Sequence, residues 1–313
     1  MVCSTVSNAT SVPGFSRLVT VAEAAVSADC SRFLCAELEA GHIVFLPSSP
    51  IAIAPEHREL LLGRKQSGSA YHKNIAYRPM EDRITGLDDL EEKQADVLRT
   101  IMRNFSKAAV EVLAKFLLPY GGNWKLDYAS FRPIEEKGRP ARLHARNDLL
   151  HFDSFPTRPT NGSRILRFFV NLNPAQNRVW LTSQTFEGFG PRFAQAGSLL
   201  QSVSGNSFTR GMRRMARTLH LPLVSRPPYD EFMHRCHNAM KEDADFQDKT
   251  PKNTWEFPPD SAWMVFTDCV SHSVLSGQYA LEQTFMVPQS ALVEPQRSPL
   301  KILEKIAGHE LTL

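Results

Sequence analysis

His151-Phe152-Asp153, followed by Ser154-Phe155-Pro156-Thr157-Arg158-Pro159-Thr160-Asn161-Gly162, is the stretch on which the reading of this chain turns. On an extended strand His151 and Asp153 project from the same face, so an imidazole and a carboxylate, each hard to bury alone, converge on one point. Joined by one distant histidine, they supply the nitrogen, oxygen, nitrogen set of the facial triad that holds non-haem Fe(II) with open coordination positions. The tripeptide alone decides little, because His-x-Asp arises by chance and a histidine in an apolar run is more often a satisfied structural residue.

Its surroundings add the rest. From Asn161 to Pro174 runs a β-rich segment, Arg164-Ile165-Leu166-Arg167-Phe168-Phe169-Val170-Asn171 at its centre, closed at both ends by turn residues. Far along the chain, Ser261-Ala262-Trp263-Met264-Val265-Phe266-Thr267-Asp268-Cys269-Val270-Ser271-His272 leads into Ser273-Val274-Leu275-Ser276-Gly277-Gln278. This reads as strand, histidine, glycine turn, then a further strand from Leu281 to Val287. A double-stranded β-helix needs that order, because its first and last metal ligands sit on neighbouring antiparallel strands remote in sequence. The expected fold class is α+β: a double-stranded β-helix (jelly-roll, cupin-like) core with N-terminal and inserted helices.

The blocks His151 to Gly162, Arg164 to Arg167 and His272 to Gln278 resemble the Fe(II)/2-oxoglutarate oxygenases. More closely, they are similar to the bacterial Kdo hydroxylases, which oxidise the 3-deoxy-D-manno-oct-2-ulosonic acid (Kdo) sugar attached to lipid A. The resemblance lies between about residue 140 and residue 290; residues 1 to about 80 contribute no recognisable chemistry to it. It implies His151, Asp153 and His272 as metal ligands, Fe(II) as cofactor, and 2-oxoglutarate and O2 as cosubstrates. It further implies a Kdo-bearing lipid A substrate, met by a cytoplasmic protein lying peripherally at the cytoplasmic face of the bacterial inner membrane.

The far carboxylate of 2-oxoglutarate needs a cation or several donors, since an unpaired carboxylate in a low-dielectric pocket is costly. Many members of the resembled class place an arginine or lysine on the strand after the distal histidine. Here that strand carries Gln278, Glu282 and Gln283 instead. Arg167 is the expected replacement, with Asn171 a further cosubstrate-binding candidate; both share with Phe169 the side of the strand assigned to the interior. If Arg167 faces outward in an ion pair, Arg164 or Gln278 takes the role. For the substrate, Arg158 follows Asp153 closely enough to rim the metal, and Arg142 and Arg146 lie on the approach to His151. Each also reads as an ordinary surface charge. Trp180 and Phe186 read equally as pocket walls and as core.

Two other readings stand beside this one: a 2-oxoglutarate-dependent hydroxylase of another small molecule, lipid or protein side chain, and a non-redox, cupin-like sugar-binding protein whose histidines merely pack. Composition excludes more than it selects. The chain has 313 residues, 42% of them hydrophobic, enough for one large core. Its 36 basic and 33 acidic residues leave a net charge of +3, so no global field draws it to nucleic acid, and any contact with an anionic membrane surface is local. Five cysteines, Cys3, Cys30, Cys35, Cys236 and Cys269, show no paired zinc spacing and favour a reducing compartment. The N-terminus lacks a secretory pattern, no run approaches the roughly 20 apolar residues of a membrane span, and there is no Gly-rich phosphate loop.

Along the chain, residues 1–20 read as a loosely ordered lead-in and 21–313 as one catalytic domain. Within it, 21–135 reads as a largely helical support region, 136–290 as the double-stranded β-helix with a helical insert at about 207–245, and 291–313 as a C-terminal extension. His42 to Leu46 reads as a strand. Asp88 to Leu118 reads as a helix, with Leu98, Ile101, Met102, Phe105, Ala109 and Leu113 at helical spacing. In the insert, Arg210, Arg213, Arg214 and Arg217 suit either a solvated helix or a membrane-facing lid. His234 and His237 share a face of a helix over Tyr229 to Lys241, without a completing zinc ligand. His144, seven residues before His151, reads as a loop histidine or as a group supporting the metal site.

Overall fold

In the computed structural model, which describes residues 5–6, 14–21, 27–64, 74–87, 92–196 and 226–312, two strands are covered on both faces. In β7 (Arg164–Asn171), Leu166, Phe168 and Val170 enter one core while Phe169 enters another. In β10 (Ala262–Phe266), Ala262, Met264 and Phe266 join the first core, and Trp263 and Val265 the second. Apolar residues pointing both ways from a strand require a cover on each side, and the rest of the fold supplies both.

Among the described residues the large sheet has nine strands. Its order runs β1 (Thr5–Val6), β2 (Leu18–Val21), β3 (Ile43–Leu46), β10, β7, β12 (Ala280–Val287), β6 (Lys125–Arg132), β4 (Ile75–Arg78) and β5 (Arg83–Thr85). All pairs are antiparallel except β2 with β3. A smaller sheet orders β11 (Val270–Ser276), β8 (Arg178–Thr185) and β9 (Asn253–Phe257). Between the sheets lies an aromatic core in which Trp263 stacks on Phe257 and Phe169, with Trp180 edge-on to all three.

Helices cover the other face of the large sheet. α1 (Ala28–Glu39) sends in Leu34 and Leu38, and α3 (Glu92–Phe116) sends in Leu98, Ile101, Met102, Phe105, Ala109 and Leu113, the three- and four-residue spacing of an amphipathic stripe. α2 (Pro55–Leu62) buries Leu61. α4 (Phe186–Ala196), α5 (Pro228–Glu242), α6 (Ala244–Lys249) and α7 (Pro299–Ala307) complete this layer, α7 burying Leu300 and Leu303. The expectation of a largely helical 21–135 is corrected: among its described residues α1, α2 and α3 share that stretch with β3, β4, β5 and β6, all members of the large sheet. β4 and β5 are four and three residues long, too short to display a period. The arginine-rich segment from Arg210 to Arg217 lies outside the described residues.

One glycine matters to the site. Gly277, with φ +129°, carries the chain from β11 in the small sheet to β12 in the large one, and a Cβ there would meet Arg178 Cγ at 2.6 Å. The tight turn after His272 therefore depends on a residue without a side chain.

Candidate active site

Phe152 separates the two halves of the His-x-Asp pair as a strand should. Its ring turns into the helix-side core against Phe186, centroids 5.3 Å apart, while His151 and Asp153 face the other way. The segment is tied to both sheets. His151 N donates to His272 O (3.1 Å), His272 N returns to His151 O (3.0 Å), and Asp153 N donates to Thr267 O (2.8 Å) just beyond β10. A reciprocal antiparallel pair sets opposed side chains side by side on one face. The two imidazole centroids lie 4.7 Å apart, Asp153 Oδ1 is 3.6 Å from His151 Nε2, and donor atoms of the three residues all fall within 4.8 Å of one another.

Both rings are locked in one tautomer. His151 Nδ1–H donates to Leu149 O (2.8 Å) and His272 Nδ1–H to Val270 O (3.0 Å), so each Nε2 keeps its lone pair. Trp180 stacks on His272 at 5.3 Å and 20°, fixing the ring plane. Helices fasten the segment from its remaining side. Gln247 accepts from Leu150 N (2.8 Å) and donates to Leu150 O (2.9 Å), and His237 Nδ1–H donates to Phe152 O (2.8 Å) with its ring edge-on to His151. Asp230 accepts from Thr160 N (2.5 Å) and Asn161 N (3.1 Å).

Electrostatics suit a cation between these donors. Burial pushes His151 well below the usual imidazole range and lowers His272 too, so both rings are neutral near pH 7. Burial alone would raise Asp153, but the Arg167 guanidinium at 2.8 Å overrides it and holds the carboxyl well below its ordinary range. Arg167 also pairs with Glu282 (2.6 Å), which Arg132 grips from β6. Burial opposes the charge on Glu282, yet Arg167 and Arg132 draw its pKa from 4.5 down to about 2.

A depressed carboxyl binds its proton less tightly in the folded state. Its contribution to stability is therefore complete above 4.5 and is lost as pH falls from 4.5 through about 2. Glu282→Gln is expected to lose less stability than wild type between pH 5 and pH 3 in denaturant unfolding; equal losses would show that Glu282 does not set the acid sensitivity.

These groups open onto a cavity of about 370 Å³, also bounded by Tyr128, Phe155, Arg158, Trp180, His237 and Lys241, a size that suits a small ligand. Two donors of pocket residues, Arg167 Nε and Trp180 Nε1, are buried and meet no acceptor among the described residues. Buried donors of this kind call for an acceptor.

The structure thus brings together His151, Asp153, His272, Arg167 and Arg158 and leaves five expected residues outside the pocket lining. Arg164 is buried on the helix side, paired with Asp268 at 2.7 Å with its guanidinium over Phe266. Its odd-even position relative to Arg167 dictates the opposite face. Asn171 is spent on backbone, donating to Gln176 O and Phe257 O and accepting from Asn173 N. Gln278 donates to Pro133 O, having passed the turn out of the site. Arg146 pairs with Asp148 and Arg142 flanks a one-turn helix, both at the surface. Phe186 is core, whereas Trp180 is both core and wall.

Sequence reasoning missed Arg132, Glu282, His237 and Lys241, all of which line the pocket. The i, i+4 spacing of His237 and Lys241 on one helix was the available signal. His144 lines it too, its Nε2 2.6 Å from Glu242.

Fold and site together fit a class, the enzymes in which two imidazoles and a carboxylate hold a single metal ion. A family model described as 3-deoxy-D-manno-oct-2-ulosonic acid (Kdo) hydroxylase matches residues 21–310, and the chain belongs to that family. It is similar to crystal structures of the Kdo hydroxylase KdoO, a non-heme Fe(II) alphaketoglutarate dependent dioxygenase. With alphaketoglutarate and Fe(III) bound, KdoO is 28% identical, with 94% of this chain and 97% of that chain covered and a TM-score of 0.78. The apo form gives 29% identity and 0.79, and the form with succinate and Fe(III) 28% and 0.79, over the same shares of the two chains. No curated protein matches the chain.

Proposed function

We propose that this chain is an Fe(II)/2-oxoglutarate-dependent dioxygenase that hydroxylates the Kdo sugar of Kdo-bearing lipid A, with His151, Asp153 and His272 as the iron ligands. The observation that carries it is the reciprocal His151–His272 bridge, which leaves two Nε2 lone pairs and an ionised carboxylate aimed at one point. Two neutral imidazoles and one carboxylate fit ferrous iron with open positions. When bound, iron, 2-oxoglutarate and O2 supply the oxidising chemistry, giving succinate, carbon dioxide and a hydroxylated sugar.

The chain's own residues position and shield. Leu149 O and Val270 O hold the two imidazoles in register, Trp180 holds the plane of His272, and Phe155 and Phe169 keep water from the wall of the pocket. Arg167 is the anchor for the far carboxylate of 2-oxoglutarate, supported by its unmatched Nε, and Arg132 stands beside it through their shared Glu282. Arg158 lies at the pocket with its guanidinium over Tyr128 and Phe155, where it meets the sugar. Arg167→Ala is expected to raise the 2-oxoglutarate concentration for half-maximal succinate formation by about ten- to hundredfold, the equivalent of one charge-assisted hydrogen bond. An unaltered requirement would move the anchor to Arg132.

The two facing sheets are read as a double-stranded β-helix (jelly-roll, cupin-like), with residues 21–313 as one catalytic unit. A membrane lipid substrate is reached from the bilayer surface, which puts the chain peripherally at the cytoplasmic face of the inner membrane. Among the described residues no helix is long and apolar enough to cross a membrane. The decisive experiment incubates the protein with Kdo-bearing lipid A and follows the lipid by mass spectrometry. A gain of one oxygen that requires both Fe(II) and 2-oxoglutarate is expected; 2-oxoglutarate turnover without modified lipid would transfer the chemistry to another substrate.

A further inference from the structure

A pocket that admits both 2-oxoglutarate and a sugar acid must satisfy two carboxylates of different molecules beside one metal. Each needs its own cation or donors, because an unmet carboxylate in a dry pocket is costly. The sheet supplies Arg132 and Arg167, which converge on Glu282 from β6, β7 and β12. Arg158 pairs with Asp127. A fourth cation comes from the helical layer instead: Lys241, 4% exposed, in the last turn of α5.

The placement of Lys241 is set by its own helix. His237, one turn earlier on the same face, donates to Phe152 O and lies edge-on to His151, so this face of α5 looks onto the metal-binding segment. Lys241 Nζ donates to His144 O (2.9 Å), whose turn also gives Ala145 and Asn147 to the pocket wall. Lys241 lines the same cavity as His151, Asp153 and His272. An anion brought to this ammonium is therefore brought beside the metal donors. An ammonium on a flexible stem is a point charge with rotatable donors, suited to a single carboxylate on a bulky polyol.

Building on the Kdo hydroxylase reading, we infer that Lys241 is the cation that recognises the carboxylate of the sugar acid, while 2-oxoglutarate is held by Arg167 and Arg132. Lys241 thereby determines specificity for an acidic sugar, and α5 is the substrate-reading wall.

The test uses the full chain loaded with Co(II) and 2-oxoglutarate, without oxygen, titrated in a calorimeter with the methyl glycoside of Kdo and with its carboxyl methyl ester. Wild type is expected to prefer the free acid by about ten- to hundredfold, the scale of one charge-assisted hydrogen bond. Lys241→Gln, which keeps a donor for His144 O, is expected to lose that preference while Co(II) and 2-oxoglutarate affinities stay at wild-type values, and Lys241→Arg to retain part of it. Lys241→Met, if Gln itself captures the acid, is expected to abolish the preference entirely. A preference that survives in both neutral variants, or an equal loss of 2-oxoglutarate affinity, overturns the assignment alone. A wild-type protein that binds neither sugar overturns it together with the Kdo reading.

Discussion

His272→Ala is expected to bind neither Co(II) nor Fe(II) measurably and to form no succinate, with a far-UV circular dichroism spectrum close to that of wild type. The two halves of this result have separate causes. His272 takes part in pairing through its backbone, exchanging hydrogen bonds with His151, and alanine preserves both. Its ring contributes a stack on Trp180 and one Nε2 donor. Removing it leaves His151 and Asp153 alone, two donors where the facial set needs three. His237→Ala is the control, since that ring also lies near His151 but spends its Nδ1–H on Phe152 O. It is expected to retain one metal per chain. Stoichiometric, tight Co(II) binding by His272→Ala would take His272 out of the centre.

Asp268→Ala should carry the largest stability loss, about 3–5 kcal/mol, the usual consequence of stranding one member of a buried ion pair. Arg164 is fully buried, its Nε donates to Asp268 Oδ2, and its two terminal nitrogens meet no hydrogen-bond acceptor among the described residues. With Asp268 gone, no other carboxylate among the described residues pairs with it. Arg164→Met combined with Asp268→Leu is expected to recover most of the loss, because a buried pair replaced by apolar groups of similar volume is often neutral. Urea unfolding of the single and double variants separates the two cases. A double variant no better than the single one would place the loss in packing and not in the stranded guanidinium.

What the sequence revealed of the site is what strand periodicity carries. His151 and Asp153 are two apart, and Arg167 stands at an odd interval from Arg164, so relative faces follow from the chain itself. His272 was legible through its apolar run and glycine turn, although it proved to lie on a strand of its own, β11. Arg132 and Glu282 were not legible, because their partnership joins β6 to β12 across 150 residues through sheet order alone. Arg164 misled for a related reason: a buried arginine resembles a ligand-binding one until the carboxylate it neutralises is seen. His237 was weighed as a zinc ligand and Lys241 passed as the end of a helix, since nothing local tells which wall an amphipathic helix faces. The large sheet was foreseen in its central strands, which are apolar on both faces, and missed at the two short strands that end it, β4 and β5.

Gln247, His237 and Asp230 grip the main chain at Leu150, Phe152, Thr160 and Asn161, before, between and after the proposed ligands His151 and Asp153. The helices that carry them are consequently a splint for the proposed ligands and cannot serve as a swinging door. Prising them away would release the imidazole and carboxyl they steady, so loss of iron and unwinding of this region should be one event, visible as amides of both helices that exchange with deuterium faster once the metal is chelated away.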